Sequence, residues 1–214
     1  MAIDTVEAPA STPSPTSSHF SNQPRHFYLA VDSLRFKMKT LLDLLRVAGQ
    51  RPGLPVVVCC SSRDELDSVC SHVSSLPFIS LSSMYSDMAE ADRALVLERF
   101  RQSSIQWNQN STAQSRDTSE NSEQVEEKSH MIVVTDTCLP IPASGESPIS
   151  ARLLINYELP AKKETYMRRI STCLAADGIV INMVVGGEVV FLKGLEESIG
   201  ILIAEMPINI SEIL

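Results

Sequence analysis

The stretch that most constrains the fold is an apolar run that ends in a polar pair and passes into a helical pattern. It reads Leu-Leu-Ile-Asn-Tyr-Glu-Leu-Pro at residues 153–160, and Glu-Thr-Tyr-Met-Arg-Arg-Ile follows at residues 164–170. A continuous apolar run is typical of a strand that is covered on both faces, as in parallel sheets. The sequence therefore predicts a buried strand followed by a helix, at the sheet edge where α/β proteins bind ligands.

Strand-like apolar runs alternate with helical patterns along the rest of the chain. We predict strands at residues 26–31, 55–60, 78–81, 131–136, 153–158 and 179–185. Amphipathic helices are expected at residues 34–48, 62–73, 87–100, 161–175 and 188–204. This order predicts an α/β fold with a mostly parallel sheet and helices on both faces.

Two segments have compositions that do not support a packed core. Residues 1–24 are rich in Ser, Thr and Pro, and residues 102–130 are rich in Ser, Asn, Gln and Glu with a single Trp107. Such segments bury too little apolar surface to offset the entropy of ordering. We therefore expect a disordered tail at 1–24, one domain at 25–214, and a disordered insertion at 102–130. A partner-binding segment anchored by Trp107 is the alternative for the insertion.

Charge and cysteine usage exclude several classes of protein. The net charge of −8 argues against nucleic-acid binding by the whole surface, because phosphate neutralisation needs a basic face. The five cysteines contain no C-x-x-C pair, which favours reduced, buried thiols in an intracellular protein. We see no secretory signal and no apolar run near the roughly 20 residues that a membrane span needs. We expect a cytoplasmic protein, with the nucleus as the alternative.

The usual signatures of nucleotide and metal chemistry are absent from the sequence. Neither G-x-x-x-x-G-K-[ST] nor G-x-G-x-x-G occurs, and no His/Cys/Asp/Glu spacing indicates zinc. Asp136, at a predicted strand end, fits a metal or base carboxylate or, more simply, a turn cap. From the residues themselves we expect no cofactor, no metal and no catalytic group.

Several short motifs follow one another along the chain. Residues 57–63 read Val-Val-Cys-Cys-Ser-Ser-Arg at a predicted strand-to-helix junction. Residues 85–93 and the Phe-Arg at 100–101 are similar to H-G-D-M-x-Q-x-x-R and F-R, residues 134–136 contain Thr-Asp, and 155–160 nearly match I-N-Y-D-L-P. In this order the motifs resemble those of the second RecA-like domain of DEAD-box RNA helicases, and within them the translation initiation factor group, in which the first motif touches RNA backbone. The resemblance runs over residues 26–214 and implies a RecA-like, P-loop NTPase-type fold.

The resemblance also implies roles for individual residues. It implies weak RNA-backbone contacts for Ser62, Arg63, Asp87, Arg93 and Thr135. It further implies that Arg169 is the remnant of a nucleotide-binding motif, the first arginine of H-R-x-G-R-x-G-R.

The departures from the family motifs bear directly on catalysis. Pro140 stands where the family has an RNA-facing arginine, and Thr172 and Ala175 replace two arginines that resemble arginine fingers. Such fingers contribute about 10³–10⁵ in rate, which a threonine or an alanine cannot supply. Glu90 and Ser86 replace a glutamine and a glycine and add negative charge and bulk. The 214 residues also hold no first RecA-like domain, phosphate loop or D-E-A-D motif.

Three functions follow from this resemblance. The first is a non-enzymatic interaction module, a pseudoenzyme that docks a protein such as a helical-repeat scaffold or helicase-associated factor in translation or RNA metabolism. The second is weak binding of single-stranded RNA. The third is an ATP-dependent RNA helicase half that works in trans with a separate first domain, against which the lost arginines argue.

Overall fold

The computed structural model describes residues 23–113 and 128–214, in which strands and helices alternate. The strands are β1 (Arg25–Val31), β2 (Pro55–Cys60), β3 (Ile79–Met84), β4 (Ser129–Thr135), β5 (Ala151–Asn156), β6 (Leu174–Val185) and β7 (Ile203–Glu205). The helices are α1 (Leu34–Ala48), α2 (Arg63–Val73), α3 (Glu90–Ala113), α4 (Lys163–Cys173) and α5 (Val189–Ile199). Short 3₁₀ turns lie at Asp136–Cys138, Pro142–Ser144 and Ile210–Glu212.

The strands form one sheet in the order β3-β4-β2-β5-β6-β1-β7, and every paired neighbour is parallel. Parallel neighbours place all strand carboxyl ends at one edge, where the following loops meet. This all-parallel α/β sheet confirms the fold class that the sequence predicted.

The central strand β2 shows why the sheet is covered on both faces. All six of its residues are buried. Val56 and Val58 pack into a core with α1 and α2, whereas Val57 and Cys59 pack into a second core with α3, α4 and α5. Side chains alternate between the faces of a strand, so a strand buried on both faces must be apolar throughout. Burial raises the pKa of Cys59 and of Cys60, which keeps both thiols protonated.

The last helix is shorter than the sequence predicted, and a seventh strand follows it. Helix α5 ends at Ile199 because Gly200 takes a left-handed conformation with φ 75°. The expected helix over residues 188–204 is therefore wrong at its carboxyl end. Residues Ile203–Glu205 instead pair in parallel with β1 and close one edge of the sheet.

The junction of α4 and β6 also differs from the prediction. Helix α4 ends at Cys173 rather than at residue 175, and β6 begins with the next residue. Leu174 pairs with Ala151 of β5 and is 8% exposed. The free energy gained by burying this apolar side chain against the sheet exceeds what continuing the helix would contribute.

Part of the expected insertion over residues 102–130 is regular structure. Helix α3 continues to Ala113, and β4 begins at Ser129. The helix extends this far because Ser104 is buried and Trp107 packs against the core that contains α1 and α2. The Arg152 guanidinium lies 5.8 Å from the centre of the Trp107 ring. Residues 1–22 and 114–127, where the rest of the expected disorder falls, lie outside the described residues.

Candidate functional site

A buried arginine lies beneath the carboxyl edge of the sheet. The side chain of Arg169, on α4, is 0% exposed and that of Asp136, which follows β4, is 28% exposed. The guanidinium donates from Nε to Asp136 Oδ1 at 2.6 Å and from Nη2 to Oδ2 at 2.8 Å. A two-bond fork of this kind is the strongest arrangement of a guanidinium and a carboxylate.

Arg169 also begins a chain of polar contacts that crosses the sheet. Its Nη1 donates to Asn156 Oδ1 and to the carbonyl oxygen of Glu158, both at 2.8 Å. Asn156 Nδ2 donates to Asn182 Oδ1 at 2.8 Å, and Asn182 Nδ2 donates to the carbonyl oxygen of Phe27 at 2.9 Å. These contacts join β4, β5, β6 and β1 inside the protein, so the polar residues of the strand ends are satisfied by one another.

The far end of this network is a tyrosine paired with a histidine. The hydroxyl of Tyr166 lies 3.3 Å from Asn182 Nδ2 and 2.9 Å from His26 Nδ1. Burial raises the pKa of Tyr166 and lowers the pKa of His26, so both groups are held in their neutral forms. Sequence reasoning missed His26 and Asn182, because no local pattern relates either one to Arg169.

The network changes the interpretation of two residues from the sequence. Burial opposes the charged form of Arg169, but the Asp136 carboxylate offsets this, and the pKa of Arg169 lies above its usual value. Four hydrogen bonds within the protein occupy four of the five N–H groups of this guanidinium, and the nucleotide contact that the resemblance implies for Arg169 stays a prediction. Asp136, considered as a metal or base carboxylate, is the counter-ion of that arginine.

Of the two positions that resemble arginine fingers, Thr172 is buried and Ala175 is partly buried. Thr172 is 2% exposed, and its Oγ1 donates to the carbonyl oxygen of Arg168 at 2.7 Å. Ala175 lies in β6 rather than on the helix. Neither position presents a cation at the carboxyl edge.

A second group of predicted residues surrounds a small cavity at the carboxyl ends of β2, β3 and β4. The cavity measures about 220 Å³ and is lined by Ser61, Arg63, Leu66, Met84, Tyr85, Ser86, Thr135 and Thr137. Arg63 and Thr135 were predicted from the sequence, and Asp87 pairs with Arg63 at 3.1 Å. Hydroxyl groups, a guanidinium and an aromatic ring thus meet at one place.

Ordinary local contacts position these side chains. Ser62 caps α2, since its Oγ accepts a hydrogen bond from the Glu65 amide at 3.3 Å. The Arg63 guanidinium lies 4.9 Å from the centre of the Tyr85 ring. The Tyr85 hydroxyl in turn donates to Asp67 Oδ1 at 2.8 Å. Thr135 is nearly buried, with its Oγ1 2.9 Å from Thr137 Oγ1.

Arg93, the remaining predicted RNA contact, lies behind this cavity in a fork with Glu146. Its Nε donates to Glu146 Oε1 at 2.9 Å and its Nη2 donates to Oε2 at 3.2 Å. Its Nη1 donates to the carbonyl oxygen of Cys138 at 2.9 Å and approaches Met84 Sδ at 3.9 Å. Sequence reasoning missed Glu146, which stands 53 residues after its partner.

The electrostatics of the three predicted arginines share one feature. Arg63, Arg93 and Arg169 pair with Asp87, Glu146 and Asp136 respectively. The structure therefore places Arg63 and Thr135 at the wall of one cavity, with Asp87 paired to Arg63. Ser62 caps the helix that begins at Arg63, Arg93 contacts the cavity-lining Met84, and Arg169 lies apart from them. Each of these cations is already neutralised within the chain.

The described residues contain neither a cluster that could hold a metal ion nor a helix that could span a membrane. Within residues 23–113 and 128–214, no three His, Cys, Asp or Glu side chains lie close enough to share a metal ion. No helix in the same ranges is long and apolar enough to cross a membrane.

Comparison with known proteins agrees with this fold. No family model matches the chain. Eukaryotic initiation factor 4A of Cryptosporidium parvum is 29% identical over 192 residues, which cover 89% of this chain and 40% of that protein. The ATP-dependent RNA helicase eIF4A of Pyricularia oryzae is 27% identical over the same shares. The chain thus spans about 40% of the length of the curated relatives it matches.

Solved structures of DEAD-box proteins have the same fold. The DEAD box protein of Methanococcus jannaschii superposes with a TM-score of 0.59 at 17% identity, covering 88% of this chain and 43% of that one. Escherichia coli SrmB, solved bound to the regulator RraA, gives 0.60 at 18% identity and covers 89% and 94%. The C-terminal domain of Dbp5 gives 0.59 at 15% identity and covers 90% and 94%. The chain is therefore similar in sequence to DEAD-box helicases of the eIF4A type, and its described part is an α/β domain of the RecA-like fold.

Proposed function

We propose that this domain is a non-enzymatic interaction module that docks a protein partner in translation or RNA metabolism. One observation carries the proposal: the arginine expected to meet a nucleotide, Arg169, is fully buried and closed on Asp136. Thr172 and Ala175 add no cation where the resemblance expects arginine fingers. Phosphoryl transfer depends on positioned cations around the transferred group, so these losses support a role without ATP hydrolysis.

Exposed apolar side chains at the carboxyl edge support a protein partner. Leu34 is 68% exposed at the start of α1, directly after β1. Val189, Val190 and Phe191 are 51%, 82% and 40% exposed at the start of α5, directly after β6. Because β1 and β6 are paired neighbours, these helix starts lie at adjacent strand ends. The exposed residues of α5 are consecutive in sequence, and contiguous exposed apolar groups mark interaction surfaces more often than ordinary monomer surface.

Two of the structural neighbours are known with proteins bound. SrmB was solved bound to RraA, and Dbp5 was solved bound to Gle1. By this analogy the partner of the present domain is a helicase-associated factor or a helical-repeat scaffold. The relation to eIF4A favours the cytoplasm, with the nucleus as the alternative.

A capture experiment with matched variants tests the proposal. The tagged chain of 214 residues is used to capture partners from extract, with and without RNase, and the bound proteins are identified by mass spectrometry. Val190→Asp should abolish capture, whereas Leu202→Asp should not, because Leu202 is 79% exposed but lies beyond α5. A partner lost on RNase treatment, or one retained equally by both variants, would contradict the proposed surface.

An ATPase assay tests the absence of catalysis. Mixing the chain with an isolated first RecA-like domain and RNA should give no turnover above that of the first domain alone. RNA-stimulated hydrolysis that depends on this chain would favour the helicase half acting in trans.

Weak binding of single-stranded RNA is the second candidate function. The observation that favours it is that Arg63, Thr135 and Tyr85 line one cavity at the carboxyl ends of the strands. Aromatic rings and cations at a strand edge are the groups that hold single-stranded nucleic acid. With a net charge of −8, affinity should be low and should fall steeply with salt. Fluorescence anisotropy at low salt measures it, and no signal at tens of micromolar protein removes this candidate.

A further inference from the structure

The loop of residues 139–149, between the turn after β4 and strand β5, is fixed to helix α3 by two arginines. Arg93 binds the Glu146 carboxylate. Arg101 donates to the carbonyl oxygens of Ser147 at 2.8 Å and Pro148 at 3.2 Å. The loop is therefore held at its carboxyl-terminal side against α3, whose Arg93 also contacts the cavity-lining Met84.

The contacts of Glu146 have the geometry of an anion site. Both carboxylate oxygens accept from the Arg93 guanidinium, and Oε2 also accepts from the Ile141 amide at 2.8 Å. The side chains of Arg93 and Glu146 are only 17% and 29% exposed. A guanidinium fork with a backbone amide binds carboxylate and phosphate oxygens alike. The carboxylate of Glu146 thus stands where a phosphate oxygen pair would bind.

This anion site adjoins the cavity described above. Arg93 Nη1 contacts Met84 Sδ, and Met84 lines the cavity together with Thr135 and Thr137. A nucleic-acid strand lying along the hydroxyl-lined wall would bring a phosphate next to Arg93. With Glu146 in place, that phosphate meets a neutralised arginine and a carboxylate.

We infer that Glu146 is an internal competitor, which occupies the anion site of Arg93 and keeps the phosphodiesters of single-stranded RNA out of it. This inference rests on the second candidate function, the RNA contact. The Arg93 hydrogen bonds lower the pKa of Glu146, so the competitor is fully ionised at neutral pH. If the charge of Glu146 is removed, the 139–149 loop should no longer repel a phosphate or neutralise Arg93.

The test compares Glu146→Gln with wild type and with Glu197→Gln. The exposed Glu197 on α5 provides the same change in net charge away from the cavity. Anisotropy of a fluorescein-labelled uridine decamer is measured at about 50 mM salt, with inorganic phosphate as a second arm. Glu146→Gln should bind RNA at least about tenfold more tightly than wild type, since a charge-assisted pair contributes a free energy of that order. Glu197→Gln should match wild type, and adding Arg93→Gln to Glu146→Gln should remove the gain.

The possible results distinguish a failure of the Glu146 competitor from a failure of RNA binding itself. Equal binding by wild type and Glu146→Gln overturns the competitor and leaves the RNA candidate standing. An equal gain of RNA affinity in Glu197→Gln also overturns the inference, because the gain then comes from the change in net charge and not from the Arg93 site. No RNA binding by any variant overturns both, and a gain for inorganic phosphate but not RNA shows an anion site of another class and overturns the RNA assignment.

A second variant covers the case in which Glu146→Gln does not fold, as judged by circular dichroism. Glu146→Asp keeps the charge, but its shorter side chain cannot reach both the Arg93 fork and the Ile141 amide. It should bind the decamer a few-fold more tightly than wild type. Affinity equal to wild type in a folded Glu146→Asp overturns the inference.

Discussion

Replacing Asp136 by alanine should destabilise the domain more than any change of a surface charge. The substitution leaves the Arg169 guanidinium, 0% exposed, without its counter-ion. An unpaired buried charge cannot recover its hydration, so the folded state loses free energy relative to the unfolded chain. Arg169 retains its bonds to Asn156 Oδ1 and to the Glu158 carbonyl oxygen, which limit the loss.

The expected cost follows from the burial of the two partners. Removing one partner of a buried ion pair costs about 3–5 kcal/mol. Asp136 is 28% exposed, so some water reaches the gap and the lower figure applies. A loss of about 3 kcal/mol corresponds to a fall of about 6–12 °C in melting temperature for a domain of this size.

Urea and thermal unfolding followed by circular dichroism measure this change. Asp43→Ala is the matched control, because Asp43 and Arg46 form an ion pair whose side chains are 53% and 56% exposed. Exposed pairs contribute about 0–1 kcal/mol, so the control should change little. The double change Asp136→Ala with Arg169→Met should be more stable than Asp136→Ala alone, because it removes the stranded charge. The reasoning is refuted if Asp136→Ala unfolds within about 1 kcal/mol of the Asp43→Ala control.

Three further predictions concern the rest of the polar network and the extended helix. Asn182→Leu should cost about 1–3 kcal/mol in urea unfolding, because it leaves the Phe27 carbonyl and the Asn156 amide buried without partners; a neutral result would mean that water replaces them. His26→Gln should flatten the pH dependence of stability. In wild type the pKa of His26 is lowered by folding, so its contribution to stability is complete above the usual pKa of 6.5 and falls as the pH drops from there through the folded pKa. Melting curves measured over this pH range detect the difference. Trp107→Ala should increase amide exchange over residues 104–111 while leaving β2 protected, and unchanged exchange would show that this aromatic contact does not hold the helix end.

The strands buried on both faces were the part of the fold that sequence predicted best. Within β2, β4 and β5 the residues 55–60, 131–134 and 153–155 form apolar runs without a polar residue, because both faces of each strand meet a core. β7 escaped prediction because three residues are too few to show a period. The extension of α3 was hidden because its last turns are polar and depend on distant contacts of Trp107 rather than on local pattern.

The candidate site was less predictable for a related reason. The motifs located Arg63, Arg93 and Arg169 along the chain, but the state of each arginine depends on a carboxylate from elsewhere. Asp136 stands 33 residues before Arg169, and Glu146 stands 53 residues after Arg93. Only the arrangement of strands in the sheet brings such pairs together, and no spacing rule encodes it.

The short strand β7 has a consequence for self-association. A sheet edge exposes unpaired backbone groups, and a long, flat edge invites a second molecule to add a strand. Residues Ile203–Glu205 offer only three residues of such an edge, and Pro207 follows with no amide hydrogen to donate. The glutamate at its end places a charge on the same border. At this border the domain is protected against growth into fibrils, so its exposed apolar helix starts can serve heterotypic contacts without the sheet polymerising there.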